Sequence, residues 1–174
     1  KKGLTMLKKF LWVCGLGLTA CVQAMPSEII LMRHLHKAPG DNPPLSQCGV
    51  AQATALRSEL MPHQITKAWH TPFNRTLETA QRLVDASTVL QRYDAKQPAT
   101  EIKKKLEQEQ GLQLVVGHSN TIPALLASFG VEAEAIGESD YGTLYRLRWE
   151  AEHWVLYRAP FEQRLAPCQS AALQ

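Results

Sequence analysis

Apolar and polar positions alternate along the chain in a way that predicts strands and helices in turn. Glu28–Arg33 and Leu112–Gly117 are continuous apolar runs without a two-residue period. Such runs suit strands covered on both faces in a parallel sheet. Ile65–His70 reads as a further strand, and 89–93 as a short one. Between them the spacing turns helical. Ser46 is a favourable N-cap for a helix through about Leu60, stopped by Pro62, with Val50, Ala53, Leu56 and Leu60 inward. Thr71 is expected to cap a second helix, with Pro72 at its first position and Leu77, Ala80, Leu83 and Val84 inward. Residues 99–110 read as a charged, exposed helix ended by Gly111, and 120–129 as a helix that takes Pro123 in its first turn. Residues 143–149 and 153–158 read as a hairpin packed by Tyr145, Trp149, Trp154 and Tyr157. This order predicts an α/β fold: a three-layer α/β/α sandwich with a mainly parallel sheet and an antiparallel edge hairpin.

In sheets of this kind ligands bind beyond the carboxyl ends of the strands. Three of those ends carry polar groups: Arg33-His34, His70-Thr71 and Gly117-His118-Ser119, with Arg75 on the helix that follows the second. Two arginines and two histidines so placed suit a phosphoryl group. Arginine offers a planar, permanently charged fork that matches phosphate oxygens. A neutral imidazole is nucleophilic near pH 7 and can form a phosphoramidate. A helix starting after Ser119 would aim N–H groups at the same anion. His70 reads as structural, and Lys103-Lys104-Lys105, interspersed with Glu101, Glu107 and Glu109, as a solvated face.

Leu31-Met32-Arg33-His34 resembles the Arg-His opening motif of the histidine phosphatase superfamily, whose members include phosphoglycerate mutase-like enzymes. Arg75-Thr76-Leu77-Glu78-Thr79-Ala80 resembles its Arg-Thr-x-x-Thr-Ala helix, Gly117-His118-Ser119 its second histidine motif, and Pro43-Pro44-Leu45-Ser46-x-x-Gly49 the stretch leading into its first helix. The resemblance implies a phosphoglycerate mutase-like fold and hydrolysis of a small phosphorylated substrate, without a cofactor or metal. It implies His34 as the nucleophile that becomes phosphorylated, Arg33, Arg75 and Ser119 as phosphoryl ligands, and His118 as the group that completes the pocket. The general acid it implies is assigned to Asp94, with Glu101 and Glu78 as alternatives; for Glu78 an ion pair with Arg75 is the plainer expectation. The chain departs from the pattern at Leu35 and His36, where the family has a small residue and then Glu. A bulky Leu35 is expected to narrow the entrance or alter the loop.

Those departures keep a second function open, a non-catalytic phosphate-binding or regulatory domain of the same fold. His34-x-His36 also admits a metallohydrolase reading, weakened by the arginines around it. Mutase activity is less favoured, because a short chain has little length with which to cover the site.

The chain has 174 residues, enough for one domain with a real core. Residues 1–24 read as a signal peptide, with Met6 as the expected start. Lys1, Lys2, Lys8 and Lys9 precede an apolar stretch at 10–22 that is too short to span a bilayer. Val22-Gln23-Ala24 suits ordinary cleavage; Leu18-Thr19-Ala20-Cys21 resembles a lipobox, which would lipidate Cys21. The expected location is periplasmic or secreted, membrane-anchored only in the lipidated case, and 25–174 forms the single domain. All 16 acids lie after residue 24 and four of the 19 Lys and Arg before it, so 25–174 carry a formal charge of −1. The basic balance therefore belongs to the signal and gives no support for nucleic-acid binding. Cys48 and Cys168 remain after cleavage, either as one disulfide tying down the tail or as two thiols.

Overall fold

The structure is a computed structural model and describes residues 25–160. The proposed signal, its Cys21 lipobox and Cys168 lie outside those residues. Ten elements follow in the predicted order: β1 Glu28–Arg33, α1 Gln47–Leu60, β2 Ile65–His70, α2 Asn74–Leu83, β3 Val89–Arg92, α3 Ala99–Glu107, β4 Leu112–Gly117, α4 Thr121–Ser128, β5 Leu144–Glu150 and β6 His153–Ala159. One sheet runs β3-β2-β4-β1-β5-β6. Its first four strands are mutually parallel, and β5 and β6 add antiparallel pairing on the far side of β1.

The apolar runs of the central strands feed two cores by simple alternation. Ile29 and Leu31 of β1 face a cluster with Ile102 and Leu106 of α3 and Ile122, Leu125 and Leu126 of α4. Ile30 and Met32 face the opposite cluster, with Ala53, Leu56 and Leu60 of α1 and Ala80 and Leu83 of α2. Each alternate side chain thus finds a helix layer, which makes the sheet the middle of three layers. At the edge, β3 has four exposed residues, whereas Tyr93 just beyond it is buried. Ala151 and Glu152 turn the β5–β6 hairpin with φ of 45° and 66°, the handedness that two-residue hairpin turns favour. Trp149 meets Trp154 edge-on across this hairpin, and Trp154 packs on Phe129.

Several local expectations give way to tertiary partners. Thr71 does not cap α2. That helix starts at Asn74 after Phe73, with no side-chain cap, and the buried Thr71 hydroxyl bonds Thr76 and His118 instead. α3 stops at Glu107, where tight i→i+3 bonds close its last turn before Gly111 at φ +81°. Leu35 does not narrow the entrance; it is fully buried in the α1/α2 core, and its N–H donates to the Thr79 hydroxyl. Cys48 is disulfide-bonded.

The Ser46-x-x-Gly49 spacing has a steric cause. Ser46 accepts the Gly49 N–H through its hydroxyl, and its own N–H donates to the His36 carbonyl. A Cβ on Gly49 would lie 2.1 Å from the His36 carbonyl oxygen and 3.2 Å from Leu45 Cβ. Helix α1 can seat this close to the loop after His34 only without a side chain there. Gly49→Ala is expected to cost about 1–3 kcal/mol through forced displacement of backbone, measured as a lower urea midpoint. An unchanged midpoint would mean that the loop yields freely.

Candidate active site

The carboxyl ends of β1 and β4 are in register, Arg33 opposite Gly117, and the His34 N–H extends that ladder to the Gly117 carbonyl at 2.9 Å. This backbone bond fixes where the chain leaves the sheet and brings the first and second histidine motifs together. The His34 and His118 rings lie 5.4 Å apart, edge to face. Around them is an open cavity of about 420 Å³, lined by both rings, Arg33, Arg75, Ser119 and Glu138, with Lys37 and Lys96 at its sides. The structure thus gathers Arg33, His34, Arg75, His118 and Ser119 in one place, as the motifs predict.

The imidazole roles follow from donor and acceptor accounting. His34 is 3% exposed, and its Nδ1 lies 2.8 Å from the Leu35 carbonyl oxygen. A carbonyl only accepts, so Nδ1 carries the hydrogen and the neutral ring keeps its lone pair on Nε2. His118 is held through Nε2, 3.0 Å from the Thr71 hydroxyl. Thr76 donates its own hydroxyl hydrogen to the Phe73 carbonyl at 2.8 Å and lies 2.8 Å from Thr71 Oγ1. Thr71 then donates to Thr76 and accepts from His118 Nε2–H. The two arginines differ. Arg33, 5% exposed, donates to the Gly137 carbonyl at 2.6 Å and to Glu138 at 3.3 Å, and lies 4.4 Å over the Tyr141 ring. Arg75 lies 4.4 Å over Phe73 and has no carboxylate partner. The Nε of both arginines is buried without a hydrogen-bond partner; among the described residues Gln52 Nε2 is the one other side-chain atom in that state.

Burial is the main cause of the depressed histidine pKa values. His34 is pushed down to about 3 by burial, with His118, Arg33 and Arg75 adding to it against the opposing pull of its Leu35 bond. His118 is pushed down to about 4 by burial and then by Arg75 and Arg33. The His34 ring is therefore neutral throughout the physiological range. The unfolded rings take up protons near pH 6.5, while the folded rings refuse them until about pH 3 and 4. The unfolded state binds more protons in that window, so stability falls as pH drops below about 6.5. Urea midpoints are expected to decrease from pH 7 to pH 5, and to decrease less in His118→Gln. Parallel decreases in the two proteins would separate His118 from this acid response.

The candidate acids do not gather equally. Asp94 is exposed, and its Oδ1 accepts the Lys96 N–H at 2.9 Å; Ala95 and Lys96, not Asp94, line the cavity. Glu101 pairs with Lys104 on the outer face of α3. Glu78 does form an ion pair, but with Arg82 rather than Arg75, and it also accepts the Leu45 N–H. The carboxylate that lines the cavity is Glu138, which carries no sequence motif. It and Tyr141 come from the segment between α4 and β5, which has no apolar period; its one visible signal is the polar Gly137–Gly142 stretch just before a strand that pairs with β1. His36 bonds the Ser46 hydroxyl through Nδ1 at 2.7 Å, and His70 bonds the Thr71 carbonyl; neither lines the cavity. His34 and His36 thus turn their Nδ1 atoms to different partners, and among the described residues no three His, Cys, Asp or Glu side chains cluster as for a metal.

Fold and site together define an α/β protein whose sheet presents a pocket lined by histidines and arginines at the carboxyl ends of its parallel strands. The model of the histidine phosphatase superfamily (branch 1) matches residues 29–96, which include the first histidine motif and the Arg75 helix. In its motifs, its fold and this match the chain is similar to the histidine phosphatase superfamily. No curated protein matches the chain. Among solved structures it is similar to a SixA protein of Agrobacterium tumefaciens, itself a proposed phosphohistidine phosphatase (TM-score 0.61, 19% identity, 77% of this chain and 97% of that one). It is also similar to phosphoserine phosphatase of Entamoeba histolytica in complex with 3-phosphoglyceric acid (0.60, 15%, 79% and 98%). A third is a mycobacterial glucosyl-3-phosphoglycerate phosphatase (0.56, 15%, 75% and 96%). At these identities the likeness is one of fold.

Proposed function

We propose that the protein is a phosphatase that hydrolyses a phosphomonoester through a phosphohistidine on His34. The observation that carries this reading is the pairing of a neutral His34, Nδ1 spent on Leu35, with two arginines whose buried Nε groups lack acceptors. A buried donor without a partner is costly, and phosphoryl oxygens supply the missing acceptors. His34 Nε2 attacks phosphorus, the P–N bond forms, and the P–O bond to the leaving group breaks. Water then cleaves the P–N bond and releases inorganic phosphate. Arg33, Arg75 and the Ser119 region hold the phosphoryl oxygens, and His118, which lines the same cavity, completes the pocket. The leaving oxygen takes its proton from a carboxylic acid, which becomes a carboxylate; Glu138, in its protonated form, is the group whose position in the cavity suits.

Export remains part of the reading. It rests on the 1–24 segment and is supported by the disulfide at Cys48, since such bonds persist in oxidising compartments. The test is phosphate release from a generic aryl phosphate by residues 25–174. Tight vanadate binding without turnover on a broad panel of phosphoesters would favour a phosphate-binding domain instead.

A further inference from the structure

Lys37 and Lys96 bring more positive charge to the pocket than one phosphoryl group uses. Six lysines fall among the described residues. Lys67, Lys103 and Lys104 pair with Glu109, Glu107 and Glu101, and Lys105 donates to the Gln97 side chain. The ammonium groups of Lys37 and Lys96 have no such partner, and these two lysines are the ones that line the cavity. They reach it from different parts of the fold, Lys37 from the loop after β1 and Lys96 from the turn after β3. Asp94, two residues from Lys96, spends a carboxylate oxygen on the Lys96 backbone N–H and so shapes the turn.

Charge matching makes the arrangement specific. The cavity wall holds four permanent cations, Arg33, Lys37, Arg75 and Lys96, against the single carboxylate of Glu138. A phosphomonoester brings about −1.5 to −2 near pH 7. The two arginines suffice for that charge, which leaves both lysines over, in a chain whose residues 25–174 are otherwise slightly acidic. We propose that Lys37 and Lys96 form a second anion subsite, so that the preferred substrate is a phosphomonoester whose leaving group carries a further carboxylate or phosphate. The proposal rests on the phosphatase reading for which end of the substrate reacts, but not for the preference itself.

Three esters of one aromatic frame test it: phenyl phosphate, 4-carboxyphenyl phosphate and 1,4-phenylene bisphosphate. The wild-type protein is expected to favour at least one doubly anionic ester in kcat/KM by about tenfold at low ionic strength, the size of one charge-assisted hydrogen bond. Salt should erode that preference. In the double variant Lys37→Gln, Lys96→Gln the ratio is expected to fall towards one; as a ratio, it is insensitive to partial unfolding. Preference for one doubly anionic ester sustains the proposal and identifies the anion. Equal rates on all three esters, or a preference the double variant retains, overturns it and leaves the phosphatase reading standing. If no ester is hydrolysed, the phosphatase reading fails, and the same ratios taken from calorimetric Kd values decide the subsite.

Discussion

Replacing His34 by alanine is expected to lower kcat/KM for phosphate release by about 10⁴-fold or more, the scale at which loss of a catalytic nucleophile is felt. The reason lies in the proton placement. Nδ1 is committed to the Leu35 carbonyl, so the lone pair on Nε2 is the one that can form the P–N bond. The His118 ring is held differently, through its Nε2 on Thr71. His34→Asn makes the sharper experiment. Its amide nitrogen can mimic Nδ1 and donate to Leu35, keeping the local hydrogen bond while removing the nucleophile. Both variants are expected to be inactive, with far-UV circular dichroism like that of the wild type. Activity above about one per cent of wild type in His34→Asn, measured on the same aryl phosphate, would move the covalent step to another residue.

Arg75→Ala is expected to reduce kcat/KM by about 10²–10³-fold, the usual consequence of removing one preorganised donor to a developing anion. Arg75 is the less occupied of the two arginines. Its Nε is unpartnered, and the guanidinium is braced by the Phe73 ring at 4.4 Å rather than by a carboxylate. Burial first and the charge of Arg33 second lower its pKa, an unfavourable situation that a bound dianion relieves. Arg75→Lys should recover only part of the loss, because an ammonium restores charge without the planar fork. Measuring kcat and KM separately shows whether the contact is made to substrate or only to the transition state. A loss below about threefold in Arg75→Ala would remove Arg75 from phosphoryl binding, since even one charge-assisted hydrogen bond is worth more.

The two central strands were legible because burial on both faces forces an unbroken apolar run, as at Ile29–Met32 and Leu114–Val116. The paired histidines and arginines were legible for a related reason: a strand end fixes direction, so a polar residue just past a buried run has one place to go. What the chain does not display locally is competition between partners. Thr71 has the composition of a cap, and its hydroxyl is drawn instead to Thr76 and His118, residues 5 and 47 positions away. Leu35 looked like an obstruction because a spacing cannot tell which face a loop residue turns to. Glu138 and Tyr141 were invisible for want of any period; they reach the site because β5 pairs antiparallel with β1 and draws the preceding segment across the pocket.

The contact between Arg33 and that segment has a consequence for how the pocket empties. Before any ligand arrives, Arg33 already holds a carbonyl from Gly137 and a carboxylate from Glu138, whose side chain is 94% exposed. An incoming phosphoryl oxygen therefore exchanges with a tethered competitor rather than filling open space. Exposed ion pairs are weak, on the order of 1 kcal/mol or less, so the exchange barely opposes binding. It runs in reverse when an anion departs and Glu138 returns to Arg33. A carboxylate on a short leash thus gives Arg33 back its counter-ion whenever the pocket empties, one that never diffuses away.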